Sequence, residues 1–516
     1  MTEISGPPRP APPAAAPLTH RQIVEVVLGL VAMLFTAMVS SSIVSTALPT
    51  IIGDLGGSQR AYTWVFTATL LAMTVTVPLW AKLSDLYDKK RVLQLAGVVF
   101  LLGSLWAGLA RDVPELLAAR ALQGLGVGGL TALTQSVMAA IISPRERGRY
   151  NGYLASAMAV STVSGPLIGG LLVDTAGWRW CFFAILPFSV AGLALIQRFL
   201  RLEPLHREAR VDGWGALFIS VAAALPLVWV SFAGEDFPWV SGASALFLSG
   251  TLAALVLAVL VERRHPEPVV PPRVILERTT LLAVLASVAV GVSQFGGPVF
   301  LSQYFQIARG FSPTAAGLLM LPAIVGNLLG STVSGRLITR TGAWKRYLLA
   351  GAALLVAGLA LMGTLDHTTP VWLAGAYMVL MGLGTGVLLQ NLVLVVQNTV
   401  DLPDVGAAGG VVSFFRSLGG TMGITVLGAI LAVQVADRTR EGLAAADLTG
   451  QAGPDGFDLS GLSGPALSVV RDAHADAIGV VFLAGAALGL VTLLAVWLIP
   501  ERELRTTVAR PGGQSR

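Results

Sequence analysis

Apolar residues along this chain do not recur at the three-and-four spacing of a helix that buries one stripe; they gather into long, nearly continuous runs, each broken by a short stretch of Gly, Pro or charge. A helix needs about 20 residues to cross a hydrocarbon core of about 30 Å, and the runs meet that length. They predict fourteen spans, over 22–48, 60–80, 92–111, 114–140, 149–173, 179–200, 212–233, 240–261, 278–304, 313–338, 346–365, 369–397, 405–435 and 475–499. An even number puts both chain ends on one side. The pattern therefore reads as an all-α polytopic membrane protein.

Composition agrees with the pattern. Of 516 residues, 54% are hydrophobic and 12% charged, against about 25% charged in an ordinary soluble domain. The net charge of +5 raises a nucleic-acid partner, but the basic residues sit in short clusters between apolar runs, where they report topology instead. The chain ends and the loops on their side collect 25 of the 34 Lys and Arg residues, among them Lys82, Lys89, Lys90 and Arg91. The opposite face holds seven, and Arg120 and Arg416 fall inside spans. Positive charge is retained on the cytoplasmic side, so both termini are expected there and the polar segment 436–474 outside. Residues 1–21, rich in Pro and Ala, read as a disordered cytoplasmic tail, and 500–516 as a second tail. The single cysteine, Cys181, permits neither a disulfide framework nor a thiolate metal site within one chain. Arginine outnumbers lysine 30 to 4, a composition pointing to a GC-rich bacterial genome.

The chain also repeats itself. Ala81 to Arg91, after the second span, has a counterpart 254 residues on in Gly335 to Lys345, after the tenth. At the same offset Gly165 and Gly169 of span 5 fall on Gly419 and Gly423 of span 13, and Gly124, Gly126 and Gly128 of span 4 resemble Gly382, Gly384 and Gly386 of span 12 with a shift of four more residues. This divides the chain into a six-helix half over 22–200, two inserted helices with their linkers over 201–277, and a second six-helix half over 278–499.

Several motifs then fall in a recognisable order: Trp64 to Leu71 ahead of the loop with Asp85, Lys89 and Lys90; Arg120 with Gln123 in span 4; Ser164-Gly-Pro with Gly169 and Gly170 in span 5; Trp178-Arg-Trp at span 6; Tyr304-Phe-Gln and Gly310-Phe-Ser-Pro between spans 9 and 10; and Phe415-Arg-Ser-Leu-Gly-Gly in span 13. Together they resemble the fourteen-spanner drug/proton antiporter branch of the major facilitator superfamily, over nearly all of 22–500. The resemblance implies a secondary transporter that exports drug-like or antibiotic small molecules across a bacterial cytoplasmic membrane in exchange for protons, without ATP or a cofactor. It makes Asp85, with Lys89 and Lys90, a conformational latch, and Gly165, Pro166, Gly169 and Gly170 an antiporter motif. Two departures stand out. Where the branch carries an acidic residue and an asparagine in span 1, this chain has Ser40 and Ser45; and Ala81, Leu86 and Asp88 replace a glycine, an arginine and a glycine in the loop after span 2.

The residues carry their own chemistry. A cation inside a membrane costs about 2.5–3.5 kcal/mol on insertion scales, so Arg120 is expected to face a cavity or a partner; Arg416 raises the same question nearer a span end, where it can also snorkel. Glu25 lies about a turn from the end of span 1, either as an interfacial anchor or as a proton carrier. Gln294, Gln390 and Asn391, with Ser40 and Ser45, are candidates for the polar points of an otherwise apolar substrate pocket. An enzyme needs His, Asp, Glu or Cys clustered at membrane depth, whereas His20, His206, His265, His367 and His474 lie in tails, loops or loop edges. No Gly-rich phosphate loop followed by Lys and Ser or Thr appears. A dedicated metabolite or siderophore carrier on the same scaffold is the alternative within transport.

Overall fold

The structure, a computed structural model, describes residues 20–141, 147–200, 213–233, 237–264, 272–400, 405–446 and 464–503. Its first six spans are α1 (His20–Asp54), α2 (Gln59–Leu86), α3 (Lys89–Leu109), α4 (Val113–Ile141), α5 (Arg147–Ala176) and α6 (Trp180–Phe199). The inserted pair is α7 (Gly213–Phe232) and α8 (Gly242–Arg264). The last six are α9 (Arg278–Ala308), α10 (Pro313–Leu319 continued by Leu321–Thr341), α11 (Trp344–Met362), α12 (Val371–Thr399), α13 (Val405–Ala445) and α14 (Gly464–Leu498). Twelve of these are long and apolar enough to cross a bilayer among the described residues; α2 and α5, at 28 and 30 residues, have the length.

Each half is held by small residues on its fourth helix. A Cβ added at Gly126 of α4 would lie 2.6 Å from Phe100 Cα of α3, and one at Gly384 of α12 would lie 2.6 Å from Leu355 Cα of α11. A Cβ at Gly103 would lie 2.7 Å from Gln123 Cα in the first half, and one at Gly358 2.7 Å from Met381 Cα in the second. Lipid gives no hydrophobic drive between helices, so such backbone approach supplies the dispersion energy that joins them. The pair α7 and α8 packs on the outside: Ser220 Oγ of α7 donates to the Val75 carbonyl of α2 at 2.7 Å, and the Phe232 ring lies 5.7 Å from that of Trp64.

Three elements differ from the span pattern. The segment 436–474, expected as a polar loop, is helical at both its described ends: α13 runs 41 residues to Ala445 and α14 begins at Gly464. At 1.5 Å per residue α13 is about 60 Å long, twice the hydrocarbon thickness, and its projecting end is tied to α14 by Arg438 and Asp476 at 2.9 Å. Polarity marks the end of the membrane, which here is not the end of the helix. Span 6 turns at Ala184 and Ile185 between two helical pieces. Span 9 contains two π-helical stretches, Val292–Gly296 and Tyr304–Ala308, around a short α segment, and local widening of this kind is frequent at functional sites. At its far end Tyr304 Oη donates to the Asp366 carbonyl at 2.8 Å. The Asp366 carboxylate accepts from Thr368 and Thr369, which holds it below the usual carboxylate range.

Candidate transport site

The polar centre of the first half is built on α4. Arg120 is 1% exposed and Gln123 equally buried, because the glycines that follow them bring α4 against α2 and α3 with no space for solvent. Arg120 Nη1 donates to Gln123 Oε1. Gln123 Nε2 in turn donates to Ser40 Oγ of α1 at 3.0 Å and Ser104 Oγ of α3 at 2.7 Å. The Arg120 carbonyl accepts from Thr69 Oγ1 of α2 at 3.2 Å. Arg120 Nε and Nη2 have no hydrogen-bond partner among the described residues. A buried guanidinium without a carboxylate is costly, and about three of its five N–H donors have no partner among the described residues. Ser40 occupies the place where the acidic residue of the resembling branch would stand, and it serves as an acceptor for Gln123.

A second set of bonds joins the two halves. Tyr62 Oη of α2 donates to the Val299 carbonyl of α9 at 2.7 Å, Gln59 and Gln303 pair through their amides, and Gln306 Nε2 donates to the Thr46 carbonyl at 2.7 Å. Thr67 and Thr425 hydroxyls meet at 2.9 Å, and Asp174 accepts from the Thr314 amide at 3.1 Å. All of these lie in the part of the bundle away from the chain ends. The motif in α5 sits on this seam. Gly165 and Gly169 lie against Ser42 and Ile43 of α1, whereas Gly170 faces Thr314 and the Pro166 carbonyl faces Gly317, both on α10 of the other half. One short sequence thus packs within its half on one side and across the molecule on the other. On the opposite end of α10, Ser331, Thr332, Gly335, Arg336 and Arg340 line an open hollow of about 410 Å³.

The remaining predicted residues are dispersed. Glu25 accepts from Arg21 Nε at 3.1 Å in the first turns of α1, whereas the α1 residue bonded to Gln123 is Ser40. The side chain of Asp85 lies outside the described residues, as does that of Gln390. Lys89 Nζ donates to Ser136 Oγ of α4 at 2.6 Å and Lys90 Nζ to the Gln197 carbonyl of α6 at 2.7 Å, fastening the start of α3 within its own half. Ser45 donates back to the Ser42 carbonyl at 2.6 Å, and Asn391 Nδ2 bridges Ser334 Oγ at 2.9 Å and the Val387 carbonyl at 2.7 Å. The Ser45 hydroxyl proton and the Asn391 amide protons are thus engaged within and between helices. Gln294 stands in the first π-helical stretch with its Oε1 unbonded among the described residues. Arg416, partly buried, donates to the Leu389 carbonyl of α12 at 3.2 Å.

Sequence reasoning passed over the partner glutamine Gln59, the acceptor Asp174 and Glu262, a carboxylate 4% exposed in the last turn of α8. The first two sit at helix ends that read as loop edges. Glu262 precedes Arg263 and Arg264, a charged run that looks solvated until α8 is packed. No group of three His, Cys, Asp or Glu suited to a metal occurs among the described residues.

Known proteins share both the sequence and the fold. The profile of the Major Facilitator Superfamily matches residues 30–424. An uncharacterized MFS-type transporter of Mycobacterium tuberculosis is 34% identical over 91% of this chain and 69% of its own length. The multidrug transporter protein MdtP of Bacillus subtilis is 30% identical over 78% of this chain and 74% of its own. The efflux pump dotC of Dothistroma septosporum is 28% identical over 93% and 84%. Among solved structures, a bacterial homolog of the human lysosomal transporter Spinster, inward-facing and occupied, has a TM-score of 0.63 at 16% identity, covering 93% of this chain and 97% of that one. An auto-inhibited peptide transporter of the POT family has a TM-score of 0.65 at 15% identity, covering 95% and 99%.

Proposed function

Because the chain belongs to the Major Facilitator Superfamily, we propose that it is an exporter of drug-like amphiphilic molecules, working across a bacterial cytoplasmic membrane by alternating access and driven by protons. The names of its relatives, a multidrug transporter and an efflux pump, support export. So does the α5 motif, whose Gly170 and Pro166 lie on the seam with α10. The carrying observation is the placement of the cross-half bonds. Tyr62, Gln59, Thr67 and Asp174 close the bundle away from the chain ends, and with the termini cytoplasmic this is an inward-facing state ready to load from the cell interior. Rocking of the halves breaks those bonds and opens the cavity outward.

Arg120 sets the charge preference. Its guanidinium has no carboxylate partner among the described residues, so a cationic substrate meets uncompensated repulsion and a neutral or weakly anionic aromatic compound does not. Proton coupling then falls to a carboxylate nearer an edge, Asp85 or Glu25, since Ser40 does not titrate near neutrality. Reconstituted protein under an imposed pH gradient tests both parts. Efflux of weakly anionic aromatic compounds should depend on the gradient and exceed that of ethidium. Asp85→Asn should abolish it, with Glu25→Gln as the companion variant. Ethidium efflux that persists without a gradient would overturn the reading.

A further inference from the structure

The second half carries a cation of its own. Arg416 does not snorkel toward the start of α13; its Nη1 donates to the Leu389 carbonyl, about 15 Å along α12 from the end of that helix at Thr399. This is its one hydrogen bond among the described residues, and the side chain is only partly buried. No Asp or Glu occurs in α9, α10, α11 or α12, nor in α13 before Asp437. The guanidinium therefore stands at membrane depth in a wall without acids.

Gln294 stands beside it on α9. A Cβ added at Gly291 would collide with the Arg416 carbonyl, and Gln294 follows about 4.5 Å farther along the helix. Its neighbours fix the face it occupies. Ser293 Oγ meets Thr385 Oγ1 of α12 at 3.1 Å, whereas Val292 and Phe295 pack on Gly423 and Gly420 of α13. Gln294 lies between those two contacts, in a π-helical stretch, where a residue shares its face with the one five ahead. That residue is Val299, whose carbonyl accepts from Tyr62 of the first half. Gln294 thus faces the first half, and its Oε1 is buried without a hydrogen bond among the described residues. The Thr67–Thr425 contact that closes the seam is about 14 Å farther along α13 than Arg416, so both residues lie near the side of the bundle that opens toward the chain ends.

We infer that Arg416 and Gln294 are the second half's contact with the exported molecule, and that this molecule is an aromatic carboxylate bearing a hydroxyl or amide N–H. The inference rests on the export reading above. A carboxylate accepts charge-assisted hydrogen bonds from Arg416 and relieves a cation that no protein acid neutralises; a neutral group leaves that charge in place. The hydroxyl or amide donates to Gln294 Oε1. A ligand without a donor leaves that oxygen unpaired, so the second contact selects as well as holds.

The test uses the full-length transporter in nanodiscs at neutral pH, with equilibrium dialysis against empty nanodiscs. The probes are naphthoate, naphthamide and naphthylmethylammonium, one skeleton in three charge states, together with the naphthoate that has a hydroxyl meta to its carboxylate. Naphthoate should bind about tenfold tighter than naphthamide, the step between a charge-assisted and a neutral hydrogen bond, and naphthylmethylammonium more weakly than either. Arg416→Gln should bring the carboxylate-over-amide ratio close to one, and Arg416→Lys should restore part of it. Gln294→Leu should abolish the gain given by the meta hydroxyl while the carboxylate-over-amide ratio stays. A wild-type ratio in folded Arg416→Gln protein overturns the assignment, as does a ratio lost in Arg120→Met and kept in Arg416→Gln. Should Arg416→Gln not fold, a hydroxyl gain that survives Gln294→Leu overturns it instead. Absence of efflux under a pH gradient, with the order of binding intact, strikes the export reading and leaves this site standing.

Discussion

The two halves share their packing and differ in their chemistry. Gly103 against Gln123 and Gly126 against Phe100 in the first half repeat in the second as Gly358 against Met381 and Gly384 against Leu355, and a Cβ added at the glycine of each pair would lie at the same 2.7 Å or 2.6 Å from the facing Cα. In that register the counterparts of Arg120 and Gln123 are Met378 and Met381, both buried and apolar. At these two positions a polar pair in one half therefore corresponds to two apolar side chains in the other. Helix packing in lipid constrains the backbone-facing positions of both copies equally. Arg120 and Gln123 stand where the second half carries methionine, so exchanging them separates packing from the proposed transport role.

The strongest way to break this comparison is to add bulk where the helices of both halves touch. Gly126→Val and Gly384→Val should each cost about 1–3 kcal/mol or more by overpacking against backbone. Matched losses of Tm and of monodisperse protein in detergent are expected, and tolerance of one alone would show that the halves are not packed alike.

The next test exchanges chemistry between the halves. Arg120→Met copies Met378, removes a buried charge, and should leave Tm equal or higher. Transport should nevertheless fall by about tenfold or more, at least about 1.4 kcal/mol in coupling or binding. Met378→Leu should change transport by less than about twofold, since the swap conserves volume. Equal effects of the two variants on transport would return Arg120 to a packing role.

The smallest effect concerns the seam. Gln59→Leu leaves the Gln303 amide buried and unpaired, a cost of about 1–3 kcal/mol to the state that closes this end. Spin-label distances across the outer ends of α2 and α9 should shift toward the open population. Adding Gln303→Leu should recover much of the closed state, because two apolar side chains leave no orphaned amide.

Much of the architecture was legible in the sequence because lipid permits so few solutions. Continuous apolar runs of sufficient length have to be helices, and repeated glycines have to be points of close approach, so the spans, the two halves and the inserted pair follow from the residue order. The seam with α10 was not visible in the α5 motif, because Gly165 and Gly170 look alike in one dimension and separate only when two helices arrive from different halves. The partners of Asn391 and Ser45, the Ser334 hydroxyl and the Val387 and Ser42 carbonyls, likewise appear only once the helices are placed. Glu262 looks like one charge in a solvated run until α7, α8 and α13 enclose it. The sequence by itself determined which segments cross the membrane and where small residues let them touch, since both depend on local composition and spacing. Tertiary structure decided which polar atoms remain available, because hydrogen-bond satisfaction depends on partners hundreds of residues away.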